Sequence, residues 1–226
     1  MKTVSGLFDD YSDARAAVSA LEDRGVPSDD ISIVSNNVGD RYGTANESNA
    51  AEGAGTGAGV GAAVGGIGGL LTGLGVMAIP GVGPVVAAGW LAATAAGAAA
   101  GAVAGGAAGG IIGAMTWLAA TAAGAAAGAV AGGAAGGIIG AMTDSGVPEE
   151  HAHVYAEGVR RGGAVVTARV DDALQADAEA ILRRGSWVDP VQRRASYSEQ
   201  GWRRFDPTLA PYTPDEVEQE RRRYRR

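Results

Sequence analysis

The chain has no cysteine among its 226 residues. Disulfides, thiolate catalysis and cysteine-based zinc sites are therefore excluded. Lysine occurs once, at Lys2, and every other basic residue is arginine, a codon preference before it is a functional one. The formal net charge is −7, which argues against nucleic acid as a partner, because phosphate binding needs a cationic footprint. Met1 to Asp10 is polar and acidic, without the apolar core of a secretion signal, so the expected location is the cytoplasm. The largest absence is of charge itself. Gly53 to Thr143, 91 residues, carries none.

Inside that uncharged stretch stands a 27-residue segment, WLAATAAGAAAGAVAGGAAGGIIGAMT, at 90–116 and again at 117–143 without a mismatch. Two identical copies have had no time to diverge, so the duplication is recent or engineered. Glycines recur at a spacing of four: Gly53, Gly57, Gly61, Gly65, Gly69 and Gly73, then Gly97, Gly101, Gly105, Gly109 and Gly113, then Gly124, Gly128, Gly132, Gly136 and Gly140. Residues i and i+4 share one face of a helix. A row without side chains is a groove that lets another helix approach closely. Each glycine costs a helix about 1 kcal/mol relative to alanine in water, so the pattern makes sense only where close packing compensates. Ala78-Ile79-Pro80-Gly81-Val82-Gly83-Pro84 breaks the pattern and predicts a helical hairpin, with one helix near 53–78 and a second from Val85. No breaker stands at Met115-Thr116-Trp117-Leu118, so the second helix is expected to continue to Thr143, about 59 residues and near 88 Å. The doubled groove then outruns its intramolecular partner and needs another chain.

The flanks read differently. Lys2 to Phe8 predicts a strand, Asp9 to Arg24 a capped amphipathic helix closed by Gly25, and Ile31 to Val34 a second strand. Beyond the uncharged zone, Val147 to Arg161 predicts a helix and Ala164 to Val170 a strand. A helix from Asp171-Asp172 to Arg184 and a short strand over Ser186 to Asp189 follow. Each half alone is too small to bury a core. Together they predict an α+β fold: a ferredoxin-like sandwich assembled from both ends of the chain, with a long glycine-zipper helical hairpin inserted. The expected organisation is residues 1–35 as the first half, 36–52 as a linker, 53–143 as the insert, 144–189 as the second half and 190–226 as a C-terminal arm. Trp202, Phe205-Asp206-Pro207 and Pro211-Tyr212-Thr213-Pro214 suit an extended, docked arm. Asp215 to Arg226 suits a short helix, with acids first and arginines last.

An uncharged stretch of this length also fits a membrane hairpin, and the sequence leaves membrane lipid open as a partner beside a second copy of the chain. Alanine and glycine insert poorly compared with leucine, isoleucine and phenylalanine. Trp90 and Trp117 read as packing residues.

Catalytic constellations are absent from the sequence, and no enzyme activity, cofactor or metal is expected. Gly57-Ala58-Gly59-Val60-Gly61-Ala62 imitates part of a dinucleotide fingerprint, but no strand precedes it. No glycine is followed by lysine, so there is no P-loop. His151 and His153 stand two apart, on different helix faces, without a third ligand. Asp9-Asp10, Asp29-Asp30, Glu149-Glu150 and Asp171-Asp172 each fall at a helix start or turn, where capping explains them. Arg221 to Arg226 reads as a solvated tail.

The residues Gly6-Leu7-Phe8-Asp9-Asp10, Ala14, Ala17, Ile31-Ser32-Ile33-Val34 and Ala78 to Pro84 form one set of landmarks. His153-Val154-Tyr155-Ala156-Glu157-Gly158-Val159-Arg160-Arg161-Gly162-Gly163 and the Phe205 to Pro207 and Pro211 to Pro214 motifs form another. With them the chain resembles a bacterial family of general stress or low-temperature-induced proteins that carry a glycine-zipper insert on a heat-induced stress protein-like domain. The resemblance implies a non-enzymatic, stress-associated protein and brings no catalytic residues. The second copy of the 27-residue segment departs from the family, which usually shows one.

Overall fold

The structure is a computed structural model that describes residues 1–39, 75–79, 82–91 and 139–224. β1 (Lys2–Phe8) opens the chain and α1 (Tyr11–Asp23) follows. Tyr11, Ala14, Ala17, Val18 and Leu21 lie three and four residues apart in α1, and all are buried. Gly25, at a φ of 93°, ends the helix in the left-handed region. β2 (Ile31–Asn36) comes next. β3 (Gly75–Ile79) and β4 (Gly83–Gly89) lie within the uncharged stretch. Residues 139–144 are helical and lead into α2 (Glu149–Arg160) and β5 (Ala164–Val170). α3 (Gln175–Leu182), β6 (Trp187–Val188), α4 (Pro190–Glu199) and α5 (Pro214–Tyr224) complete the described chain.

The six strands form one sheet in the order β3-β4-β2-β5-β1-β6, with every neighbouring pair antiparallel. β5 pairs with β1 from Lys2↔Val170 to Phe8↔Ala164, and with β2 from Ile31↔Ala168 to Ser35↔Ala164. β1 and β2, joined through α1, are therefore parallel to each other with β5 between them. The fold is α+β, built from both ends of the chain.

Both faces of the sheet are buried, because side chains alternate along each strand. Val4, Phe8, Ile31, Ile33, Val166 and Ala168 point to the layer of α1 and α3. Leu7, Val34, Val85, Ala87 and Val165 point to the layer that holds α2, with Tyr197 of α4 and Phe205 from the arm.

The uncharged stretch departs from the helical expectation where it is described. Residues 75–79 and 83–89 are a β-hairpin rather than the end of one helix and the start of another, with Val76↔Val86 and Met77↔Val85 in register. Val76, Ile79, Val82, Val85 and Val86 are β-branched, and Pro80 and Pro84 cannot sit inside a helix. β4 also supplies the partner that β2 needs on its outer side, from Ser32↔Gly89 to Asn36↔Val85. A single helix from Val85 to Thr143 is excluded. β4 holds Val85 to Gly89 in the sheet, so no helix begins at Val85. Residues 53–74 and 92–138, which carry the predicted helical rows and the Trp117 junction, lie outside the described residues.

Two further differences concern helix starts. Residues 172–174 form a turn, and α3 begins only at Gln175, so Asp171 and Asp172 do not cap it. α4 occupies part of the segment read as an extended arm. Asp189 caps it by accepting from the Val191 and Gln192 amides, with Pro190 in the first turn.

Gly89 locks the β2–β4 pairing. Its φ is 89°, and a Cβ there would stand 2.1 Å from the Ile31 carbonyl oxygen. Gly89→Ala should lower unfolding free energy by at least about 2 kcal/mol, from the left-handed backbone plus the displaced strand. A shift in the urea midpoint at unchanged slope would show it, and an unchanged midpoint would refute this account.

Candidate functional site

The most heavily constructed part of the molecule lies where α2 meets the C-terminal arm. Nine consecutive residues of α2, Ala152 to Arg160, are buried, so this part of the helix is covered all round, with Glu157 and Arg160 covered in it, while Glu149 and Glu150 in its first turn are exposed. Glu157 is wholly buried. Its carboxylate accepts from Arg161 Nε at 2.7 Å and from Arg160 Nη1 at 3.2 Å to each oxygen. Arg161 Nη1 reaches outward to Gln200 Oε1 at 2.7 Å and to Glu220 Oε1 at 2.8 Å. One guanidinium thus ties α2 to the end of α4 and to α5. Its plane also covers the Tyr197 ring at 4.0 Å.

The same design repeats around it. Arg160 Nη2 donates to the Ala210 carbonyl at 3.1 Å and Arg221 Nη2 to the Gly162 carbonyl at 2.8 Å. Arg193 of α4 grips Asp9 with two bonds of 2.7 and 2.8 Å and stacks 3.7 Å from the centre of the Tyr224 ring. Burial alone would lower the Arg161 and Arg193 guanidinium values. Hydrogen bonds to Glu220 and Glu157, and to Asp9, outweigh burial and hold both above the ordinary range. Tyr197 is pushed up by burial and stays a neutral phenol.

Glycines of the His153 to Gly163 motif shape the surface that the arm meets. A Cβ on Gly162, whose φ is 104°, would lie 2.3 Å from Val217 Cγ1 of α5, and one on Gly163 would lie 2.7 Å from the Phe8 carbonyl oxygen. The arm closes with Thr213 and Glu216 bonded reciprocally, Glu216 Oε2 accepting from the Thr213 amide at 2.8 Å and the Glu216 amide donating to Thr213 Oγ1 at 3.4 Å. These two residues form a capping box at the start of α5.

Asp9 and Asp30 serve in ion pairs rather than as caps. Asp9 binds Arg193, and Asp30 binds Arg169 at 2.9 Å. Trp90 is half-buried against the α2-side cluster, beneath Arg169 at 4.9 Å, in agreement with a packing role. His151 and His153 diverge as their spacing predicts. His151 faces Tyr155, with ring centres 6.3 Å apart. His153 is buried, 3.5 Å from Glu149 through Nε2. Among the described residues no group of three histidine, aspartate or glutamate side chains could hold a metal ion, and no helix is long and apolar enough to cross a membrane. Of the sixteen glycines in the spaced rows, only Gly140 is described. It lies in the helical residues 139–144.

Sequence reasoning missed the Glu157, Arg160 and Arg161 network as a buried one. The arginine pair read as a helix end. The available signal was the pair of glycines after it, which leaves no side chain between Arg161 and an approaching segment.

Residues 3–80 match the family model described as the heat induced stress protein YflT domain. The match runs from β1 through β3 and supports the resemblance to a bacterial stress-protein family. It ends before α2, so the arm and its buried arginines lie beyond it. No curated protein and no solved structure matches this chain.

Glu157→Gln removes the charge that balances two buried guanidinium groups. We expect a loss of about 3 kcal/mol in unfolding free energy and faster tryptic cleavage after Arg203 or Arg204. Loss of stability without faster cleavage would mean that the network does not hold the arm.

A pH dependence follows from His153. Burial first, then Arg204 and Arg194, lower its value below the ordinary 6.5, against an opposing pull from Glu149. The unfolded chain therefore binds more protons than the folded one as pH falls through about 6.5. The neutral ring's contribution is complete above that value and is lost below it. The thermal midpoint should drop between pH 7 and pH 5 by more in the parent than in His153→Gln. Equal drops would remove His153 as the cause.

Proposed function

We propose that this chain is a non-enzymatic, stress-associated structural protein that self-assembles through glycine-zipper helices. The observation that carries the reading is the exact duplication of 90–116 at 117–143, which doubles a glycine row of spacing four within an uncharged stretch. The stress-protein domain match at 3–80 supplies the biological class. The body acts as an anchor for the insert. In this reading it is a ferredoxin-like unit, supported by the order β2-β5-β1-β6 with α1 and α3 on one face. The β3–β4 hairpin extends that unit on the β2 side, and α2 with the arm covers its other face.

Self-assembly predicts a large, detergent-free species of the full chain by light scattering, and a smaller one when 117–143 is deleted. Gly105→Leu combined with Gly132→Leu should block close packing in both copies and shift the distribution in the same direction. A monodisperse monomer of the full chain in plain buffer would overturn the proposal.

A further inference from the structure

β6 is much shorter than the strand it joins. It pairs only with Leu7 and Phe8, as Leu7↔Val188 and Phe8↔Trp187, while β1 runs seven residues from Lys2 to Phe8. Continuing the register would set Asp189 opposite Gly6 and Pro190 opposite Ser5. At that point the Asp189 side chain caps α4 and Pro190 enters its first turn, so the chain leaves the sheet. Among the described residues, no backbone hydrogen bond outside the β5 ladder reaches Lys2 to Ser5. The one other polar contact described at this backbone is Tyr155 Oη donating to the Ser5 carbonyl, at a long 3.5 Å.

The open edge lies at the floor of a trough. A cavity of about 180 Å³ occupies the place β6 would have taken, with Thr3 and Ser5 on its floor and Trp187 and Pro190 closing one end. One wall is the start of α2, where Pro148 and Tyr155 are joined by His151 at the rim. The other wall is α3, with Leu182, Glu179 and Arg183. These walls belong to helical layers on opposite faces of the sheet. A second sheet bringing its own helical layers would collide with them, whereas a lone strand would not.

We propose that this trough binds an extended peptide as an added strand, antiparallel to β1 beyond the end of β6. Backbone pairing supplies the main recognition, as in other strand additions at a sheet edge. Side chains of the guest alternate between the two walls. Those toward α2 meet Pro148 and the Tyr155 ring and are apolar. Those toward α3 meet Glu179 and Arg183, which are 3.9 Å apart and 40% and 64% exposed, and are polar or charged. The partner is thus an unfolded or linear segment of alternating apolar and polar residues, which is a different interaction from zipper assembly.

The test uses the full chain and a display library of random dodecapeptides, followed by fluorescence titration of the selected peptides. The expected result is a set with apolar–polar alternation. Their binding should weaken about tenfold when a single central amide is N-methylated, and should be insensitive at the neighbouring amide that faces away. His151→Trp and Glu179→Trp narrow the trough from opposite walls at partly exposed positions. At least one that keeps the parent's thermal midpoint should weaken binding about tenfold. Failure to select any peptide, N-methylation without effect at every position, or full binding to both tryptophan variants would each overturn the proposal. The Gly105→Leu, Gly132→Leu protein should select the same peptides, which separates this site from the assembly reading.

Discussion

Everything in this molecule depends on β5 lying between β1 and β2. That strand comes from the far side of the uncharged stretch, yet it pairs residue for residue with both N-terminal strands. The N-terminal half cannot bury its apolar face without it. The pairing therefore fixes where the chain must leave the body and where it must return. Trp90 and Leu91 pack at the exit, and Ile139, Ala141 and Met142 pack at the return, all in one cluster. The exit residues begin the first 27-residue copy and the return residues end the second. The two copies together therefore present to the body the same two ends that one copy would. This is why a duplication of that length leaves the sheet intact.

Burying four arginines against the second face of the sheet needs a different justification. A buried ion pair recovers its desolvation cost only when geometry is good and the remaining donors are satisfied, and the Nε atoms of Arg160 and Arg221 are buried without a hydrogen-bond partner among the described residues. Here Glu157 takes two guanidinium groups, and Glu220 links one of them to Arg223. Aromatic faces at Tyr212 and Tyr197 take the planes of these same two, Arg160 and Arg161, and Tyr224 takes that of Arg193. A patch of leucines would have covered α2 as well, but it would accept any apolar segment at any register. Directional bonds to Ala210, Gly162 and Gln200 admit one arrangement of the arm. The network is best understood as setting where the arm docks, with its net stability a secondary matter.

Much of the fold was legible because local and global signals agree. Ala164 to Val170 is a strand end to end as its β-branched alternation requires, and α1 buries the face that its spacing of three and four designates. The hairpin at 75–89 was misread because glycine at every fourth position continues to Gly73. The β-branched cluster that follows is shorter than the pattern before it. What decided the outcome was tertiary: β2 needs a second neighbour, and a helix cannot provide one. α4 was misread for a related reason. Asp189-Pro190 carries the full signature of a helix start, a capping acid before proline. It directly follows a predicted strand, and proline after a strand also reads as an ending. The buried arginines were illegible, since a charged residue announces its burial only through partners distant in sequence. Glu220, for example, stands 59 residues from Arg161.

The same two residues, Asp189 and Pro190, couple the docked arm to the open edge of β1. Pro190 has no amide hydrogen to offer a strand neighbour, and Asp189 satisfies the first free amides of α4. β6 cannot lengthen without giving up that cap and pulling α4 from α2. Every contact that holds the arm therefore also holds β6 short. An unpaired edge is ordinarily a route to uncontrolled sheet growth. Here α2 and α3 stand above and below it, so sheets are kept away while a single extended chain is admitted. The arrangement gives the arm two effects from one anchorage: it covers one face of the sheet, and it keeps one stretch of β1 available.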